Sequence, residues 1–211
     1  MRKVLLPVLI LFSLFITSCS TSTPPATPEI VSVYSTSAAE PWLHELYDCA
    51  GTAPILSRVD DPSAAQIALR VGEPKDLQFA YQIDTEDILI VTHRQSSINN
   101  LTLEEARALF LGQGDPSVQV WVYASGEDLQ QVFDHFVMEG RMVTSSASIA
   151  ATPQQMSDTL VNTPNTVGIL PRHWKVGDSR QVFSVATVPV LAISLKEPQG
   201  VIKALIACLQ K

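Results

Sequence analysis

The chain has 211 residues and a formal net charge of −7, with 46% hydrophobic and 17% charged residues. That balance describes a folded body rather than a disordered one. The acidic charge excludes an electrostatic footprint for nucleic acid or for an anionic lipid surface. The length suits one large domain or two small lobes, with enough chain to bury a core.

The first residues read as an export signal. Arg2 and Lys3 are followed by an apolar run, Val4 to Ile16, interrupted only by Pro7 and Ser13, and then by Thr17-Ser18-Cys19. Thirteen residues at a helical rise of about 1.5 Å cover about 20 Å, short of the roughly 30 Å of hydrocarbon in a bilayer. Basic start, short apolar core and small residues before a cysteine make this a bacterial lipoprotein signal with acylation at Cys19. The alternative is an ordinary secretory signal with a chance cysteine. On the lipoprotein reading, residues 1–18 are removed and the net charge moves to −9, because Arg2 and Lys3 leave with the signal. The protein is then extracytoplasmic and lipid-anchored to the bacterial cell membrane. Residues 19–29 (CSTSTPPATPE) are too rich in Ser, Thr and Pro to build a core and form a flexible tether.

From Ile30 onward, strand-like and helix-like segments alternate. Ile30–Tyr34 is a strand. Ser37-Ala38-Ala39-Glu40 has capping-box spacing and opens a helix through Trp42, Leu43, Leu46 and Tyr47. Ala53–Val59 and Ile67–Val71 are further strands, and Phe79–Ile83 and Asp87–Thr92 are two extended runs. Thr102-Leu103-Glu104-Glu105 is a second capping box, and its helix ends at Gly112. A strand over Val118–Tyr123 leads into Ser125-Gly126-Glu127-Asp128 and a helix with Leu129, Val132, Phe133 and Phe136 on one face. Thr152-Pro153 starts another helix, with proline at the favoured first position. Val167–Leu170 and Val182–Leu195 are extended, and Pro198–Leu209 is a final helix. This alternation predicts an α/β fold with substantially parallel sheets, and two sheets of modest size fit the length.

Two cysteines remain besides Cys19. An even pair, Cys49 and Cys208, in an oxidising compartment suggests a disulfide; the alternative is two small buried hydrophobes. No histidine shares a metal-ligand spacing with another His, Cys or carboxylate cluster, so no metal site and no cofactor are expected. There is no Gly-x-Ser-x-Gly elbow and no phosphate-cradling P-loop, so no enzyme is expected.

The order of motifs resembles the type 2 periplasmic-binding-protein superfamily, most closely its phosphate-binding-protein-like branch. The similarity rests on Ile30–Tyr34 running into Ser35-Thr36-Ser37, and on the strand from Ile88 followed by LTLEEARALFLG (101–112). It rests also on VWVYASGEDLQQVF (120–133) and PNTVGILP (164–171). The resemblance implies a two-lobed type 2 periplasmic-binding-protein fold with a ligand cleft between the lobes. Residues 30–92 and 182–211 would form lobe one and 93–181 an inserted lobe two, with hinges near 92–94 and 181–183. It also places Cys49 and Cys208 in one lobe. The implied function is delivery of a small polar solute to the membrane permease of an ABC-type importer. The alternative is a surface lipoprotein of the same fold, used for sensing or protein interaction without a transported solute.

Candidate ligand residues follow from the two motif loops. Ser35, Thr36 and Ser37 present hydroxyl and N–H groups before a helix, which suits a small anion; Ser37 could equally be a plain N-cap. Ser125 and Gly126 have the same dual reading. Glu127 departs from the family's Ser-Gly-Thr and repels an anion there, and the arginine expected a few residues earlier is absent. Arg70, at a strand's carboxyl end, is the best-placed cation, unless it pairs at the surface with Asp60, Asp61 or Glu73. Arg94 is a hinge or cleft residue, and Thr144-Ser145-Ser146 either faces the cleft or forms a turn.

Overall fold

A computed structural model describes residues 28–74 and 79–211. The signal, Cys19 and all but the last two residues of the tether lie outside these residues. Among the described residues eight strands and five α-helices follow one another as β1 (Ile30–Ser35), α1 (Glu40–Ala50), β2 (Ile55–Arg58), β3 (Ile67–Val71), β4 (Phe79–Thr92), α2 (Leu103–Phe110), β5 (Gln119–Tyr123), α3 (Asp128–Phe133), β6 (Ser148–Ala150), α4 (Pro153–Asn162), β7 (Thr166–Pro171), β8 (Arg180–Ser194) and α5 (Gly200–Leu209). No helix among the described residues is long and apolar enough to cross a membrane.

The strands form one mixed sheet in the order β2-β1-β3-β8-β4-β7-β5-β6, where the sequence suggested two. The reason lies in β4 and β8, of 14 and 15 residues. Phe79–Thr92, expected as two runs, is a single strand, because β8 pairs with it from Phe79↔Ser194 to Thr92↔Arg180. The polar stretch Asp84–Asp87 stays extended because each carboxylate has a partner. Asp84 accepts from Trp42 Nε1 at 3.0 Å, Glu86 is held by His173, and Asp87 accepts from Thr187 Oγ1 at 2.6 Å and from Arg172 Nε at 2.8 Å.

β3 pairs with β8 over Val190–Ile193, whereas β7 pairs with β4 over Ile88–Thr92. The pairing thus passes from one half of the sheet to the other along the two long strands. Parallel pairs (β1 with β2 and β3, β5 with β6 and β7) lie out on each flank, and the antiparallel pairs lie in the middle.

Side-chain caps start two of the five α-helices among the described residues, α2 and α4. The Thr102–Glu105 box is formed reciprocally: Glu105 N donates to Thr102 Oγ1 at 3.2 Å, and Thr102 N donates to Glu105 Oε2 at 2.8 Å. Thr152 Oγ1 accepts from Gln155 N at 3.1 Å, with Pro153 at the first position of α4. The Ser37–Glu40 box does not form. Ser37–Ala39 is a 3₁₀ turn, α1 starts at Glu40, and neither Thr36 nor Ala39 caps through a side chain.

Helices pack on the sheet through buried apolar faces, with Trp42, Leu43 and Leu46 from α1 and Leu205, Ile206 and Leu209 from α5 in the core. α1 and α5 lie side by side, and the Cα atoms of Cys49 and Cys208 are 6.0 Å apart, inside the window that a disulfide spans.

Gly168, in the middle of PNTVGILP, lets α4 pack close against the sheet. A Cβ there would collide with Met156 Sδ of α4 and press on Trp121 Cβ. Met156 is fully buried, so its thioether can shift only by repacking the core around it. Gly168→Ala is therefore expected to destabilise the protein by about 1–3 kcal/mol, the usual cost of overpacking, read as a lower urea midpoint at unchanged slope.

Candidate functional site

β1 alternates buried and partly exposed residues, so Val31, Val33 and Ser35 point into the core while Tyr34 points outward. Ser35 is accordingly 6% exposed, and its hydroxyl donates to the Thr36 carbonyl at 2.9 Å. Thr36 comes next, at the carboxyl end of the strand. Its N–H donates to the Leu69 carbonyl on β3 at 3.0 Å, and its hydroxyl donates across to Asp128 Oδ2 at 2.6 Å. That bond occupies the hydroxyl that would otherwise cap the turn at Ser37.

Asp128 opens α3, on the other half of the sheet, and is 3% exposed. Its Oδ2 also accepts the Val71 N–H at the end of β3 at 3.0 Å, and its Oδ1 accepts Leu129 N–H at 2.9 Å. Gly72 makes the approach possible. It has φ +78°, and a Cβ there would stand 2.8 Å from Val132 Cγ2 of α3. A side chain there would have to displace Val132 and would be strained at that φ as well.

Beside this contact is a cavity of about 450 Å³, lined by Tyr34, Thr36 and Arg70 from the first half and by Gly126, Glu127 and Gln131 from the second, among others. Arg70 makes no ion pair among the described residues. Its Nη2 reaches Gln131 Oε1 at 3.5 Å, and its Nε is buried without a partner. Gln131 is fixed from the other end, its Nε2 donating to the Gly126 carbonyl at 2.9 Å. Arg70 and Gln131 also line a neighbouring cavity with His135, Phe136 and Thr187.

Glu127 precedes α3 in extended conformation and forms no cap bond. Burial, and then the Asp128 carboxylate beside it, raises its pKa above the ordinary carboxylate value. Burial and the same two carboxylates push the Tyr34 hydroxyl upward as well.

The structure therefore brings four of the sequence candidates, Thr36, Arg70, Gly126 and Glu127, around one cavity. It separates the others. Ser35 is turned inward, Ser37 lies in the 3₁₀ turn, and Ser125 lines a different cavity with Tyr123, Gln130 and Arg141. Arg94 pairs with Asp178, and Thr144 Oγ1 bonds Ser146 Oγ at 3.0 Å within a turn. Arg70 does not pair with Asp60, Asp61 or Glu73. Sequence reasoning missed Asp128 and Gln131. An aspartate in a first helical turn is ordinarily a dipole-complementing residue, so its position alone gave no reason to expect a bond to a threonine 92 residues away. Among the described residues no group of three or more His, Cys, Asp and Glu is placed to hold a metal ion.

No protein-family model matches the chain, and no curated protein matches it. Solved structures do. A phosphate ABC transporter substrate-binding protein from Clostridium perfringens, with bound phosphate, superposes with a TM-score of 0.74 at 14% identity, over 86% of this chain and 93% of that one. The chain has the type 2 periplasmic-binding-protein fold. An ABC-type phosphate transport receptor from Vibrio cholerae superposes with a TM-score of 0.65 at 15% identity, covering 87% and 94% of the two chains. The fold is shared more widely: the regulatory domain of Synechocystis PCC6803 CcmR, in complex with 2-PG, gives a TM-score of 0.65 at 7% identity, over 86% and 95%.

The raised pKa of Glu127 makes a pH prediction. A carboxyl that holds its proton more tightly when folded costs no stability below its unfolded pKa. It loses stability as pH rises from there through the raised folded value. Glu127→Gln should therefore melt at higher temperature than wild type at about pH 7, and the difference should disappear at about pH 4. Melting curves at both pH values check this; equal melting temperatures at neutral pH would count against the assignment.

Proposed function

We propose that this protein is an extracytoplasmic solute-binding lipoprotein, which captures a small polar solute between its two halves and hands it to the permease of an ABC-type importer. The observation that carries the reading is the cavity itself. It lies between the two motif loops, in a fold that includes a phosphate-bound substrate-binding protein, and it contains an arginine whose Nε is buried and unpartnered. Arg70 would hold an acceptor group of the solute, and Glu127 and Gln131 would face a donor. A phosphate dianion is disfavoured, because the cavity sets two carboxylates, Glu127 and Asp128, against one guanidinium. Capture needs no bond made or broken; the two lobes (30–92 with 182–211, and 93–181) would close on the solute by flexing near the ends of the long strands.

A thermal-shift screen of amino acids, other small zwitterions, sugars and oxyanions tests this, since a solute stabilises the folded state by mass action. At least one zwitterionic or neutral polar solute is expected to raise the melting temperature, and Arg70→Met to abolish that response. Phosphate at millimolar concentration should give none.

The Asp128 bridge favours a second reading. It joins the two halves by direct bonds from Thr36 and Val71 to a buried carboxylate, as suits a surface lipoprotein of this fold used for sensing or protein interaction. A screen with no hit, together with no co-purifying permease, selects it.

Membrane attachment would come from acylation of Cys19, and Cys49–Cys208 would be a disulfide in that oxidising compartment. One experiment checks both. Intact mass of protein extracted from membranes should show loss of residues 1–18 and added acyl mass on Cys19. Alkylation of the unfolded chain should add two labels only after reduction. A native N-terminus beyond Cys19, or labelling without reductant, would reject the corresponding assignment.

A further inference from the structure

Thr36 and Val71 belong to different strands of one half of the sheet, yet their donors converge on one point. The Thr36 hydroxyl and the Val71 N–H reach the same oxygen, at 2.6 and 3.0 Å. Two donors aimed at one buried position make a seat for an oxyanion. Here the occupant is Asp128 Oδ2, delivered from the other half of the molecule and shut away from solvent. The seat opens beside the cavity, since Thr36 and Asp128 both line its wall.

We propose that Asp128 is a built-in anion: its carboxylate fills the protein's own oxyanion seat, so free oxyanions are refused there and the two halves are held together without a solute. The chemical class excluded is small oxyanions such as phosphate, sulfate and carboxylates. The class the vacated seat would accept is the same. The proposal separates the two acidic neighbours. Glu127 sets the sign of the cavity but makes no bond to Thr36 or Val71, so Glu127→Thr alone leaves the seat filled. Asp128→Ala empties it. The proposal stands whether or not a solute is transported, because it concerns the seat and not the cavity's own ligand.

Chemical rescue tests it. Asp128→Ala should melt below wild type, and formate should restore part of the loss. A rise of about 3–5 °C is expected at roughly ten times the dissociation constant. Chloride at equal ionic strength should not do this. Phosphate and sulfate, added separately, show whether the opened seat admits a tetrahedral anion as well as a planar one. Asp128→Asn, which keeps the side chain in place, should show no formate response, nor should Glu127→Thr. No rescue of a folded Asp128→Ala protein by any of the three anions would overturn the proposal, as would equal rescue by chloride. If Asp128→Ala does not fold, wild type still decides. In an NMR titration with phosphate, the Thr36 and Val71 amide signals should stay fixed through millimolar concentrations. A saturable shift of both would show that the seat accepts an external anion and that the assignment is wrong.

Discussion

The pairing of β4 with β8 is the constraint on which the rest depends. These two strands run antiparallel along their whole lengths, and every other strand attaches to one side or other of the pair. On one side β8 carries β3, β1 and β2; on the other β4 carries β7, β5 and β6. The two motif loops therefore face each other only because a common pair of strands holds both halves. The register shifts in that pairing, at Gln82/Asp84, Ile88/Leu89 and Ile90/Val91, are where the ladder is weakest and a bend is easiest. A ladder this long joins the halves by paired strands rather than by loose linkers.

The alternation of strands and helices was legible from the chain because each local signal was self-contained. Thr102 with Glu105, and Thr152 with Pro153, need nothing beyond their own helix. The Ser37–Glu40 box had the same spacing and does not form: a 3₁₀ turn spans Ser37–Ala39, and the Glu40 carboxylate pairs with Arg58 instead. The single strand Phe79–Thr92 looked like two because Asp84–Asp87 reads as a polar turn. Its extension rests on Trp42, Arg172, His173 and Thr187, all remote in sequence. Gly168 could be quoted as part of a motif, but its reason, the sulfur of Met156 packed against it, belongs to the fold.

The site divided in the same way. Thr36, Arg70, Gly126 and Glu127 could be chosen because strand ends and Ser-Gly turns mark where open α/β sheets gather polar groups. Ser35 and Ser37 failed on direction: alternation along β1 turns Ser35 into the core, and Ser37 is carried into the turn that follows. Asp128 escaped notice because its burial is a property of the assembled halves, built from Thr36, Val71 and the close approach at Gly72.

Attachment of Asp128 to the chain has a consequence for competition with free anions. A group that cannot diffuse away is present at its seat at an effective concentration of millimolar or above, as for any short intramolecular link. Sulfate, chloride or bicarbonate in the surroundings would have to exceed that local concentration before competing. The contact between the halves is thus set by geometry within one chain, and a free anion must both outnumber the tethered carboxylate locally and displace a group that stays within reach.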